Sequence, residues 1–234
     1  MKTREVILIV GASSSIGIEV LTKFKEKNSF IIGTFSTLNN HATNENEVYL
    51  NLDLRSDESI LNFVEKVHDL ISHIDTVVFL SGVLPGKNLN GYSFMELENV
   101  ISVNFSGQVK LIKCLLPLLD CKSHIIMISS ISAQRGSYDP IYSASKGAIL
   151  SFVKALASVS AGVRINAIAP GLIEDSTMFF QMSKERREYH RQQVFNRQLL
   201  SIADLASIIF DLTREHWKHL NGACIDLNGG QYLR

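Results

Sequence analysis

A chain of 234 residues with 46% hydrophobic and 20% charged residues is long enough to bury one sizeable core and too apolar to stay disordered. Lys plus Arg and Asp plus Glu are equal at 23 each, so no global field favours nucleic acid or an anionic membrane surface. No stretch approaches the ~20 apolar residues of a membrane span.

Basic residues precede the run from Val6 to Val10. That run is too short for the apolar core of a signal peptide, and Gly and Ser follow at once, so the expected location is cytoplasmic. Val6-Ile7-Leu8-Ile9-Val10 has the continuous apolar pattern of a strand buried on both faces of a parallel sheet. Residues 16–27 then read as a helix, with Ile16, Val20, Leu21 and Phe24 on one face. Strand-like runs recur at residues 30–35, 48–52, 76–80, 124–129, 163–169 and 223–227. Helical patterns fall between them at 56–71, 94–119, 141–160 and 202–214. Such alternation implies right-handed crossovers. The predicted fold is a doubly wound, Rossmann-type α/β domain spanning residues 1–234, its seven-stranded parallel sheet covered by helices on both faces.

Residues 174–198 break the rhythm. They are polar and rich in Arg and Gln, yet carry Met178, Phe179, Phe180, Met182 and Phe195. A long insertion of this kind reads as a substrate-binding lid, as a helical pair packed on the core, or as both. Cys114, Cys121 and Cys224 are expected to be buried free thiols in a reducing compartment. The seven histidines lack ligand spacing, so no metal is expected.

Two places carry chemistry. The first is the turn Gly11-Ala12-Ser13-Ser14-Ser15-Ile16-Gly17. A strand-to-helix turn aims backbone N–H groups and the helix dipole at one point, which suits a pyrophosphate. The three serines add hydroxyl donors. The second is Tyr142 and Lys146, which at i, i+4 share one face of a helix. A phenol's reference pKa of about 10 is too high for facile proton exchange, and a nearby ammonium favours the phenolate. The pair therefore reads as a tuned acid/base for a developing alkoxide. Twelve residues earlier a buried-strand pattern ends in Ser129-Ser130. Ligands of doubly wound sheets bind at the carboxyl ends of strands, so Ser130 is placed to hold a substrate oxygen.

Ser129-Ser130, Tyr142-Ser143-Ala144-Ser145-Lys146 and Asn166-Ala167-Ile168-Ala169-Pro170-Gly171, in that order, resemble the short-chain dehydrogenase/reductase family. The likeness covers essentially the whole chain, and its pattern is most similar to the 3-oxoacyl-acyl carrier protein reductases. The resemblance implies Tyr142 as catalytic acid/base, Lys146 as the residue that lowers its pKa and binds the nicotinamide ribose, and Ser130, in preference to Ser129, as the oxygen stabiliser. Asn104 matches the helix asparagine that holds a relay water. Asp53, with Leu54, matches the contact to adenine. Leu80-Ser81-Gly82 and Pro170, Gly171 and Ile173 match cofactor loops.

Three departures stand out. Val10 and Ser15 replace a Thr and a Gly of the family's glycine motif. Phe79-Leu80-Ser81-Gly82 replaces Asn-Asn-Ala-Gly, so the side-chain bonds of two asparagines must be replaced or lost. Asp175 stands where a Thr often contacts the nicotinamide.

The implied function is hydride transfer between a nicotinamide cofactor and a carbonyl/alcohol substrate, either a 3-oxoacyl thioester or a sugar-derived or other small ketone. A dinucleotide-binding sensor or partner subunit without turnover is the alternative. The strand 30–35 ends in Ser36-Thr37 with no carboxylate, which favours NADP(H) over NAD(H), with Ser14, Ser36 and Thr37 left to hold the 2′-phosphate. The family likeness also implies a homotetramer or homodimer, for which Val109, Ile112, Leu116, Phe152 and Leu156 are the candidate contacts.

Overall fold

A computed structural model of the protein describes residues 4–27, 29–37, 43–160 and 162–233. The apolar runs become β1 (Val6–Val10), β2 (Phe30–Phe35), β3 (Glu47–Asn51), β4 (Thr76–Phe79), β5 (His124–Ile128) and β6 (Arg164–Pro170). The last strand, β9 (Cys224–Leu227), follows a two-stranded side ribbon of β7 (Ile173–Glu174) and β8 (Leu200–Ser201). The main sheet is seven-stranded in the order β3-β2-β1-β4-β5-β6-β9, and every pairing in it is parallel. The order reverses between β1 and β4, which opens a crevice at their carboxyl ends.

Because strand side chains alternate, β1 feeds two cores. Leu8 and Val10 pack with α2 (Asp57–Leu70), α4 (Gly107–Leu115) and α6 (Pro140–Val159) on one face. Ile7 and Ile9 pack with α1 (Ser15–Lys25) and α9 (Ile202–Leu212) on the other. The fold is thus the doubly wound architecture that the alternation of elements predicts.

The predicted helix over 94–119 is not continuous. It divides into α3 (Phe94–Ile101), a π-helical turn (Ser102–Ser106), α4 and a 3₁₀ turn (Leu116–Leu118). Gly107 packs so tightly that a Cβ there would meet the carbonyl oxygen of Leu54 at 2.1 Å, and Pro117 sits within the closing 3₁₀ turn. Ile112 also differs from expectation. It is 2% exposed and belongs to the core, because α4 turns that face to α2, whereas Leu116 is exposed and Val109, Phe152 and Leu156 are partly so.

Residues 174–198 form α7 (Thr177–Gln181) and α8 (Lys184–Gln193), closed over a small cluster of Leu172, Phe179, Val194 and Leu199. Phe180 and Phe195 remain exposed.

Candidate active site

The turn from β1 into α1 depends on its two glycines. Gly11 has φ +94°, and a Cβ there would lie 2.9 Å from the amide nitrogen of Ser81; a Cβ on Gly17 would lie 2.4 Å from the carbonyl oxygen of Gly11. The turn therefore closes directly onto the end of β4. Gly11 N donates to Thr34 Oγ1 at 3.0 Å. Ser14 caps α1 by accepting from Gly17 N at 3.0 Å and donates its own proton to Gly11 O at 2.9 Å. Its hydroxyl shapes the turn through both of these bonds. Ser13 and Ser15 are exposed, and Ile16 is half-buried.

The loop after β4 meets this turn. Leu80 N and Ser81 N both donate to Val10 O. A Cβ on Gly82 would lie 3.4 Å from Lys146 Nζ and 3.5 Å from Asn104 Oδ1. Asn104, fully buried in the π turn, accepts from Val83 N at 2.8 Å and donates to Val83 O and to Ser145 Oγ, each at 3.0 Å. Both amide N–H groups are thus committed to protein groups, while Oδ1 takes one of the two bonds it can accept. The missing asparagines are compensated by a residue absent from the sequence reading. Gln108, one turn beyond Asn104, donates from Nε2 to Ser81 O and Val103 O, each at 3.1 Å.

Helix α6 begins at Pro140 with Asp139 as its N-cap, the Asp-Pro pairing favoured at helix starts. It presents Tyr142 and Lys146, 7% and 4% exposed, at the carboxyl end of β5. Ser130 lies close enough to the Tyr142 phenol to pull against the effect of burial on it. Ser130 Oγ accepts from Ser132 N at 3.1 Å. Ser129 instead donates to Lys146 O at 2.8 Å, so of the two serines it is Ser130 that neighbours the phenol. Lys146 Nζ donates to Ile128 O at 2.7 Å and lies 6.0 Å from the Tyr142 ring centroid.

Burial raises the Tyr142 pKa; the Ser130 side chain opposes the shift and the charge of Asp139 adds to it. Lys146 is lowered by burial to about 8. The spacing of the two residues predicts a phenol lowered by its ammonium neighbour. In the folded chain without cofactor, desolvation is the largest cause and keeps the phenol neutral.

On the far side, Asp53 and Leu54 precede α2. The Asp53 carboxylate is bound bidentately by Arg55, at 2.8 and 2.9 Å, a partner that the sequence reading passed over. Ser36 is exposed just past β2, its carbonyl accepting from Asn51 Nδ2 at 3.3 Å. Beyond β6, Pro170 O accepts from Ile131 N at 2.9 Å and Gly171 N donates to Leu227 O at 3.0 Å, while Ile173 is buried. A cleft of about 300 Å³ opens beside Gly171, bordered by Leu172, Val194, Phe195 and Leu199 and by the polar Gln198, Asp204, Asp226 and Gln231. Ser130, Tyr142, Lys146, Asn104, Gly82, Ser81 and Gly11 thus form one connected corner, with Pro170 and Gly171 joined to it through Ile131. Asp53, Leu54 and Ser36 lie at the ends of β3 and β2. Among the described residues no group of three or more His, Cys, Asp or Glu could hold a metal ion, and no helix is long and apolar enough to cross a membrane.

The model of a short-chain dehydrogenase/reductase family, described as enoyl-(acyl carrier protein) reductase, matches residues 11–231. The 3-oxoacyl-acyl-carrier-protein reductase of Buchnera aphidicola subsp. Schizaphis graminum is 26% identical, covering 98% of both chains. That of Aquifex aeolicus is 27% identical over 97% of both. A crystal structure titled short-chain dehydrogenase/reductase, glucose/ribitol dehydrogenase, from Brucella melitensis superposes with a TM-score of 0.90 at 26% identity, covering 98% of this chain and 97% of that one.

Proposed function

We propose, from the premise that this chain belongs to the short-chain dehydrogenase/reductase family, that it reduces a ketone with NADP(H) through Tyr142 as proton donor. Membership makes it an oxidoreductase acting on a carbonyl or alcohol group. The observation that carries the finer reading is that Tyr142, Lys146 one turn along and Ser130 are all buried together at the carboxyl end of the sheet beside the glycine turn.

The residues present fit a dinucleotide. A Cβ at Gly11 or Gly17 would fill the turn, and the exposed hydroxyls of Ser13 and Ser15 extend it. Gly11, Ser13, Ser15, Ile16 and Gly17 would hold the pyrophosphate. Asp53, Leu54 and Ser36 would hold the adenosine end, and Leu80, Ser81 and Gly82 the middle. Tyr142, Lys146, Pro170, Gly171 and Ile173 would hold the nicotinamide end. The bound cofactor supplies the hydride.

Ser130 holds the substrate oxygen by its hydroxyl, and Tyr142, kept neutral by burial, passes its proton to that oxygen. Lys146, still largely cationic at neutral pH, stabilises the phenolate left behind. Asn104 contributes by position, joining the loop after β4 to Ser145 on the catalytic helix.

For the substrate we favour a 3-oxoacyl thioester, as the names of the curated relatives suggest. Leu172, Val194, Phe195 and Leu199 give the cleft beside Gly171 one apolar side, which supports an acyl chain as the group bound there and residues 174–198 as its lid. A sugar-derived ketone is the second reading, by the name of the Brucella neighbour. Self-association through Val109, Leu116, Phe152 and Leu156 and a cytoplasmic location complete the proposal.

Tyr142→Phe tests it. The variant should lose about 100-fold or more in turnover of a 3-oxoacyl thioester, while NADPH binding, read by fluorescence titration, stays close to wild type. Retention of wild-type kcat sinks the assignment.

A further inference from the structure

We propose that Asp139 is a positioning residue whose buried carboxylate latches the loop between β4 and α3 onto the first turn of α6, so that this loop and Tyr142 are held in one geometry. The inference rests on the catalytic reading of Tyr142 for its kinetic consequence, and on geometry alone for the latch.

Asp139 is 2% exposed. Capping α6 takes one bond, from Tyr142 N to Oδ1 at 2.9 Å, and a serine or asparagine would serve for that. The remaining donors come from another element. Gly86 N and Lys87 N donate to Oδ2 at 2.9 and 3.3 Å, and the Tyr92 hydroxyl lies 2.8 and 2.7 Å from Oδ1 and Oδ2. Those groups stand 47 to 53 positions away in the chain. Gly86 has φ +70° with nothing within 4 Å of a Cβ position. Its backbone shape therefore answers no crowding; it turns two successive amides towards one oxygen, the concave arrangement that binds anions. Burial together with Asp139 raises the Tyr92 pKa, which keeps that phenol a donor.

The local charges leave the carboxylate to these donors. The Lys87 ammonium is paired with Glu96 at 2.5 Å, and Lys146 donates to Ile128 O. Charge-assisted hydrogen bonds to a buried carboxylate are about twice as strong as neutral ones, so the loop is held firmly at Gly86, Lys87 and Tyr92. Asn104 grips the same loop at Val83 from the other side. Both grips end on α6, one through Ser145 and one at the cap of Tyr142.

Asp139→Ser in the full-length chain separates a latch from a cap, because serine caps a helix well but cannot reach all the loop donors. The Gly86 and Lys87 amides should exchange with solvent about tenfold faster by NMR. KM for the carbonyl substrate should rise about fivefold or more while kcat changes by less than about twofold. Unchanged exchange at Gly86 and Lys87 overturns the latch, whatever KM does. Tyr92→Phe removes one loop donor and leaves the cap intact, so it carries the test if Asp139→Ser does not fold: KM should rise with kcat near wild type, and wild-type KM with wild-type exchange overturns the proposal. If the wild-type protein reduces no carbonyl compound, the exchange measurement still decides the latch, so the two readings fail separately.

Discussion

Gln108 and Ser81, 27 positions apart in sequence, are joined by a 3.1 Å hydrogen bond from the Gln108 amide to the Ser81 carbonyl. The same amide nitrogen holds Val103 O inside the π turn. One buried side chain thus ties the loop that abuts Gly11 to the irregular segment carrying Asn104. It takes up a task that the family's asparagines perform from within the loop itself.

Gln108→Leu should therefore act on stability and on cofactor binding together. Leucine fills much of the volume but leaves buried carbonyls short of a donor, at a cost of about 1–3 kcal/mol. For a chain of this size that is a fall in Tm of several degrees, about 2–4 °C per kcal/mol. NADPH affinity should drop as well, because Ser81 lies against the glycine turn. Calorimetry and fluorescence titration check the two effects. An unchanged Tm would show that the bond contributes nothing.

That compensation marks where the sequence stops being readable. The central strands β1 and β4 were legible because they are buried on both faces, so their apolar runs are continuous whatever their neighbours are. Tyr142 and Lys146 were legible because i, i+4 spacing on a helix fixes their common face. The break in residues 94–119 was not, since it depends on the approach of Gly107 to Leu54 O, a contact between distant elements. Asp139 carries no signal in the sequence for its bonds to Gly86, Lys87 and Tyr92, because those partners are set by topology. The burial that raises the Tyr142 pKa was not legible either: spacing brings an ammonium near, but burial is a tertiary property.

Lys146 gives a pH dependence with a definite sign. Its pKa falls from 10.5 to about 8 on folding, so between those values the unfolded chain binds more protons than the folded one. Stability from this group therefore rises as pH increases from about 8 towards 10.5. Below that window the fold carries the full cost of a buried ammonium. Lys146→Met removes the charge, so the difference in unfolding free energy between wild type and variant should move in favour of wild type by about 2 kcal/mol between pH 7 and 10. Cofactor-free protein unfolded in urea at a series of pH values measures it. A difference that stays constant with pH would show that Lys146 does not titrate in this range.

Cofactor choice turns on the end of β2. An acidic residue at that place accepts the ribose hydroxyls of NAD and repels a 2′-phosphate. Here β2 closes with Thr34 and Phe35, and Ser36 and Thr37 follow, exposed. The repulsive element is absent, and discrimination between similar ligands often rests on such an element. The attractive element is modest. The Ser14 proton is committed to Gly11 O, so Ser36 and Thr37 would hold a phosphate by neutral hydrogen bonds, weaker than charge-assisted ones. NADPH should therefore bind more tightly than NADH by about 1 kcal/mol, a factor of about five. Phe35→Asp adds a carboxylate beside the ribose and should reverse the order, lowering NADPH affinity while NADH is held or gains. Parallel titrations of both reduced cofactors against wild type and variant decide the matter. Tighter binding of NADH by the wild type would overturn the NADP(H) assignment, and an unchanged ratio in Phe35→Asp would place the ribose away from the end of β2.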